Sequence, residues 1–119
     1  MKLLVVDVES EVRDQIQVGL EAFEGFSVEC ARGGAALDRV RRCNYDGIFL
    51  GVTAKGNDQL RRITEDQPDL PIVVLGDDAV LRRVKQENPS VLGLLAMPLD
   101  AMDFYRTVAR LSHRLGATS

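Results

Sequence analysis

The sequence predicts an α/β fold, a three-layer, doubly wound parallel sheet built from five βα units, and three observations carry that expectation. Five short apolar runs recur at nearly even spacing: Leu3–Val6, Phe26–Cys30, Gly47–Leu50, Ile72–Leu75 and Val91–Leu95. Each is brief and rich in aliphatic residues, the pattern of strands covered on both faces. Segments of helical spacing separate them, and this alternation calls for right-handed crossovers with helices on both sides of one sheet.

The first run is ended by Asp7, far too early for a signal peptide or a spanning helix, which points to a cytoplasmic protein with no membrane contact. The helix that follows is expected to take Ser10 as its N-cap. Glu11 suits its positive end, and Val12, Ile16, Leu20 and Phe23 fall on one face. Gly25 is expected to stop it. The second helix begins after Gly33 and Gly34 and turns Ala36, Leu37 and Val40 inward, leaving Arg39, Arg41 and Arg42 to solvent. The third spans roughly Asn57 to Asp66 and halts before Pro68 and Pro71, which favour extended backbone. The fourth opens at Asp77 or Asp78 and carries Val80, Leu81 and Val84. The fifth starts near Leu99 or Asp100 and presents Phe104, Val108, Leu111 and Leu115 to the sheet.

At 119 residues the chain fits one domain, expected over residues 1–115, with 116–119 as a tail or the start of a linker. Five βα units in this length suggest the flavodoxin-like strand order 2-1-3-4-5. A net charge of −3 argues against direct nucleic-acid binding by this domain. Cys30 and Cys43 have no CxxC or histidine context and are expected to pack as small apolar groups. His113, near the end of the last helix, suits a dipole-stabilised cation better than a catalyst. Gly33-Gly34 matches no phosphate-binding motif, and no cofactor is implied.

In an open parallel sheet, sites form at the carboxyl ends of the strands, near the reversal of strand order. The residues there are Asp7, Gly51, Gly76 and Met97. On the stretches Leu3 to Glu9, Tyr45 to Gly51, Pro71 to Gly76 and Met97 to Asp100, the chain resembles the receiver domain of bacterial response regulators over essentially its whole length. Such receivers carry an acidic pair after strand one, a phosphoacceptor aspartate after strand three, a hydroxyl residue after strand four, and a lysine before proline after strand five. Carried across, the pair becomes Asp7 and Val8, the acceptor Gly51, the hydroxyl Gly76 and the lysine Met97, so Asp7 alone of the five is retained.

The resemblance therefore implies a fold kept without its phosphoryl chemistry. Magnesium needs an octahedral oxygen shell, and phosphoryl transfer rests on positioning and charge stabilisation, neither of which Val8, Gly51, Gly76 or Met97 supplies. No metal is implied. Glu9, Asp46 and Asp58 are expected as surface acids rather than substitutes, and Asp7 as a carboxylate accepting backbone hydrogen bonds. Leu94 stands where receivers often carry a switching aromatic. The family commonly uses the face of the fourth helix, fifth strand and fifth helix for dimerisation or for contact with an output domain. Here that face maps to Leu81, Arg82, Lys85, Leu92, Leu94, Asp103, Tyr105 and Arg106, and the bond before Pro98 is expected to be cis. Leu50-Gly51 and Ala96-Met97-Pro98 are similar to the amino-terminal domains of FleQ/FlrA-type flagellar activators that work with sigma-54. The functional expectation is a phosphorylation-independent regulatory module that acts through a protein partner or a homodimer within a longer regulator. A receiver with relocated phosphoryl chemistry and a small-ligand sensor using the emptied pocket stand as alternatives.

Overall fold

Five strands form one parallel sheet in the order β2-β1-β3-β4-β5. The computed structural model describes residues 1–23, 25–54 and 58–116. The strands are β1 (Lys2–Val6), β2 (Ser27–Ala31), β3 (Gly47–Gly51), β4 (Ile72–Gly76) and β5 (Gly93–Ala96). The helices are α1 (Ser10–Glu21), α2 (Ala35–Arg42), α3 (Asp58–Asp66), α4 (Asp78–Glu87) and α5 (Ala101–Arg114). The flavodoxin-like receiver architecture is thus present, with every strand–strand pair parallel.

Side chains alternate across the sheet, and this splits the core in two. Leu4, Val6, Ile48, Leu50, Ile72 and Val74 pack with Ala36, Val40, Leu60, Ile63, Val80 and Val84, so α2, α3 and α4 cover one face. Leu3, Val5, Phe49, Val73, Leu75 and Leu95 pack with Ile16, Leu20, Phe104, Val108 and Leu111, so α1 and α5 cover the other. The inner strands β1, β3 and β4 are buried nearly throughout, whereas the edge strand β2 is only partly covered.

The structure corrects several local expectations. Ser10 is not the N-cap: the chain is already helical there, Glu9 occupies the cap position with extended backbone, and no side chain caps the helix. The Arg13 N–H donates to the Glu9 carbonyl at 2.8 Å, which sets the first turn one residue earlier. Asp77 and Asp100 do cap their helices, accepting from the Val80 and Asp103 N–H groups at 2.9 and 3.0 Å. Strand β2 begins after Phe26, whose ring instead meets Phe23 edge-on at 6.5 Å. Strand β5 begins at Gly93, because Val91 is held in a turn by the Asn88 carbonyl. Cys30 is exposed on the edge strand rather than packed, while Cys43 is half-buried against the α2–α4 side of the core. Asp46 is half-buried and accepts from the Lys2 N–H at 2.8 Å, pinning the start of β1. Asn57, expected to open the third helix, and residues 117–119 of the expected tail lie outside the described residues.

Candidate functional site

Strand β1 ends at Val6, and Asp7 follows in the left-handed region at φ 53°, where Asp and Asn are the non-glycine residues best tolerated. Its N–H donates to the Ala31 carbonyl at 3.2 Å. Its carboxylate accepts from the Gly33 N–H at 2.8 Å. Gly33, at φ 58°, uses its carbonyl as well, taking a bond of 2.5 Å from the Gln59 side chain. One chain of contacts thus ties together the segments that follow β1 and β2 and the start of α3. The Asp7 carboxylate acts in it as a backbone acceptor.

The turn at Asp7 brings its main chain over the end of β3. A Cβ on Gly51 would stand 2.3 Å from the Asp7 carbonyl oxygen, 3.1 Å from its carbonyl carbon and 3.5 Å from the Val6 oxygen. The place where a receiver's acceptor side chain would leave the backbone is therefore filled by peptide. At Gly76 the fit is also close, with an added Cβ 3.2 Å from the Val52 oxygen and 3.3 Å from its Cγ2. Val8 and Met97 are half-buried and pack against the α1/α5 side of the core. The Met97–Pro98 peptide bond is cis.

What remains at the carboxyl end of the sheet is a cavity of about 250 Å³ lined by Asp7, Val8, Glu9 and Val12 from one side and by Gly51, Val52, Thr53, Leu75, Gly76 and Met97 from the other. A divalent cation does not fit this donor set. Glu9 is the one acid that joins Asp7 on the wall, Asp7 is engaged by Gly33, and no group of three or more His, Cys, Asp or Glu side chains able to hold a metal occurs among the described residues. Asp58 lies in the first turn of α3 and pairs with Arg61 at 3.1 Å, away from this wall.

The surface expected from the fourth helix, fifth strand and fifth helix is only partly a surface. Leu81 is buried, at 7% exposure, in the core beneath α4. Leu92 and Leu94 are half-buried, and Leu94 packs on the α2–α4 side. Arg82, Lys85, Asp103 and Arg106 are exposed. Tyr105 turns away from β5: its ring lies 6.0 Å from that of Phe23, on the α1 side of α5.

Two features escaped the sequence reading. One is the Asp7–Gly33–Gln59 chain, for which no local pattern exists. The other is a groove of about 410 Å³ between α1 and α5. It had a signal: Val18 lies off the buried stripe of α1, and Met102 off that of α5.

At the opposite end of the sheet, Glu29 on β2 accepts from Arg39 and from the Tyr45 hydroxyl and pairs with Lys2 at 2.9 Å. The hydrogen bond to Lys2 foremost, and that to Tyr45 next, hold the Glu29 carboxyl below the usual glutamate range, and the same contact raises Lys2. Burial pushes the Tyr45 hydroxyl up. This cluster clamps the edge strand to β1 and α2.

The strand order, the five βα units and the site at the sheet's carboxyl end define a receiver domain of the response-regulator type. Solved structures agree on the fold: the chemotaxis response regulator CheY4 of Vibrio cholerae superposes with a TM-score of 0.73 at 23% identity, over 92% of this chain and 97% of that one. The signal receiver domain of an HD domain-containing protein from Pseudomonas fluorescens gives 0.79 at 19% identity, over 97% of this chain and 89% of that one. NtrX from Brucella abortus gives 0.76 at 22% identity over 97% of this chain, which spans 27% of that larger protein. The chain belongs to the family of the flagellar regulatory protein FleQ, whose family model matches residues 2–110. No curated protein matches it.

Proposed function

We propose that this domain is a regulatory receiver that works without phosphorylation, through protein–protein contact, as the amino-terminal part of a transcriptional regulator. The observation that carries this reading is the position of the Asp7 carbonyl oxygen, 2.3 Å from where a side chain at residue 51 would begin. Losing the acceptor residue alone would leave a vacant but reparable site. Here the backbone occupies the space, and Asp7, the retained acid, is spent on the Gly33 N–H. The contact face in this reading comprises Arg82 and Lys85 on α4, Leu92 just before β5 and Leu94 on it, and Asp103 and Arg106 on α5, a mixture of charged and half-buried apolar groups typical of a modest interface.

Incubation with acetyl phosphate and magnesium followed by intact-mass measurement tests the reading. No phosphoryl adduct is expected. A stable adduct that disappears in Asp7→Ala would instead support phosphoryl chemistry relocated to the remaining acid. A second reading, a small-ligand sensor, draws on the cavity of about 250 Å³ walled largely by Val8, Val12, Val52, Leu75 and Met97. It calls for a small, mainly apolar ligand, and a Val8→Phe variant that fills the cavity without changing regulation in the cell would count against it.

A further inference from the structure

Around the cavity of about 250 Å³ at the carboxyl end of the sheet, charge and apolar surface are separated by depth. Leu75 and Gly76 are buried at its floor, and Val8, Val12, Val52 and Met97 stand half-buried along its walls. Asp7 and Glu9 are exposed at its mouth, and no lysine, arginine or histidine joins them among the described lining residues. Neither acid takes part in an ion pair among the described residues. The Gly33 N–H engages Oδ1 of Asp7, so the second carboxylate oxygen keeps its acceptor capacity. Gly51 and Gly76 contribute main chain only, and Met97 fills the place that the receiver pattern gives to a lysine. The cation that would answer these acids is therefore not built into the described wall.

We propose that this cavity binds a small organic monocation: a primary ammonium on a branched alkyl body, its head between Asp7 and Glu9 and its body on Val8, Val12, Val52, Leu75 and Met97. The ligand supplies from solution the ammonium that a lysine in place of Met97 would supply from within. Every other class of small ligand leaves part of the cavity unanswered. A divalent ion finds two carboxylates where it needs a full oxygen shell. An inorganic monocation leaves the apolar walls uncovered. An anion sets a further negative charge beside Asp7 and Glu9, and a neutral molecule forgoes the charge-assisted hydrogen bonds available at the mouth. A cation with an apolar body meets both halves, as ligand sites with mostly apolar walls and a few placed polar groups require. Size sets the limit: a water's share of liquid volume is about 30 Å³, so the space holds roughly eight groups of that size.

Isoamylamine is the probe, with isoamyl alcohol and isovalerate as neutral and anionic counterparts of the same shape. Each is titrated into the nitrogen-15-labelled 119-residue chain in potassium chloride buffer and followed by NMR. The amine is expected to shift the amide signals of Val8, Gly51, Val52, Gly76 and Met97. It should bind roughly tenfold or more tightly than the alcohol, the share of one hydrogen bond to a charged group, and isovalerate should bind more weakly still. Asp7→Asn combined with Glu9→Gln keeps an oxygen for Gly33 and the shape of the mouth, and should bring the amine down to the affinity of the alcohol. Met97→Lys should abolish amine binding by placing an ammonium inside. Unchanged circular dichroism establishes that each variant folds, and retained alcohol binding in the acid-to-amide variant reports an intact cavity independently. Alcohol or isovalerate binding as tightly as the amine, signal shifts centred on the groove between α1 and α5, full amine affinity in either variant, or no response to the amine overturns the proposal. The assignment rests on the reading of this cavity as a ligand site, yet the two fail separately. An alcohol that binds as well as the amine removes the cation and leaves a ligand site, whereas amine binding abolished by Val8→Phe with regulation in the cell unchanged removes the sensor and leaves the binding.

Discussion

Gly51→Ala adds one methyl group at the site where the receiver chemistry is missing. That carbon would stand 2.3 Å from the Asp7 carbonyl oxygen, whereas carbon–oxygen contacts settle at about 3.3–3.6 Å. The deficit of about 1 Å must come from main chain, since the atom in the way is a peptide oxygen rather than the tip of a flexible side chain. That peptide is held on one side by the β1–β3 ladder and on the other by the Asp7–Gly33 bond. Overpacking of this kind costs about 1–3 kcal/mol. In a domain of this size each kcal/mol lowers Tm by about 3–6 °C, so a fall of roughly 3–18 °C is expected in a calorimetric melt. Gly51→Asp, which restores the acceptor in name, is expected to be at least as destabilised and to take up no phosphoryl group from acetyl phosphate with magnesium. If Gly51→Ala melts with the wild type, or Gly51→Asp is phosphorylated without loss of stability, backbone does not fill the site.

Two further substitutions separate structure from chemistry. Asp7→Asn keeps an oxygen for the Gly33 N–H and tolerates φ 53°, so its denaturant midpoint should stay close to wild type. Asp7→Ala loses the bond and puts a poorly suited residue in the left-handed region, for a combined cost of about 2 kcal/mol. Equal loss in both variants would show that the charge itself matters. The Glu29 cluster predicts a pH dependence. Because Lys2 foremost lowers the folded-state pKa of Glu29, its stabilisation is present above the ordinary glutamate range and is lost as pH falls through the lowered folded value. The stability gap between wild type and Glu29→Gln, measured by urea unfolding, should therefore be open at neutral pH and close in acid. For Lys2, raised by the same contact, the contribution is present at neutral pH and is lost as pH rises through its folded value. A gap that stays constant from neutral to acid pH would sink this account.

The class of fold and the place of the site were legible in the pattern of residues along the chain. Buried strands must be short apolar runs and their crossovers amphipathic, so β1, β3 and β4 could be read within a residue, and the residues at their carboxyl ends, Asp7, Gly51 and Gly76, followed from the topology. The edges were read less well, because an edge strand has one neighbour and a weaker pattern: β2 slid past Phe26, and Cys30 came out exposed. Leu81 had a helical spacing that fits either a surface or a core, and packing beneath α4 decided it. Composition could show that Gly51 lacks a carboxylate. Only the tertiary structure could show that the Asp7 peptide fills its place, that Tyr105 faces Phe23, and that Phe104 packs on Gly19 beside a groove between α1 and α5. Those contacts join residues more than forty positions apart, and distances across such separations are fixed when sheet and helices pack together, not by any local pattern of the chain.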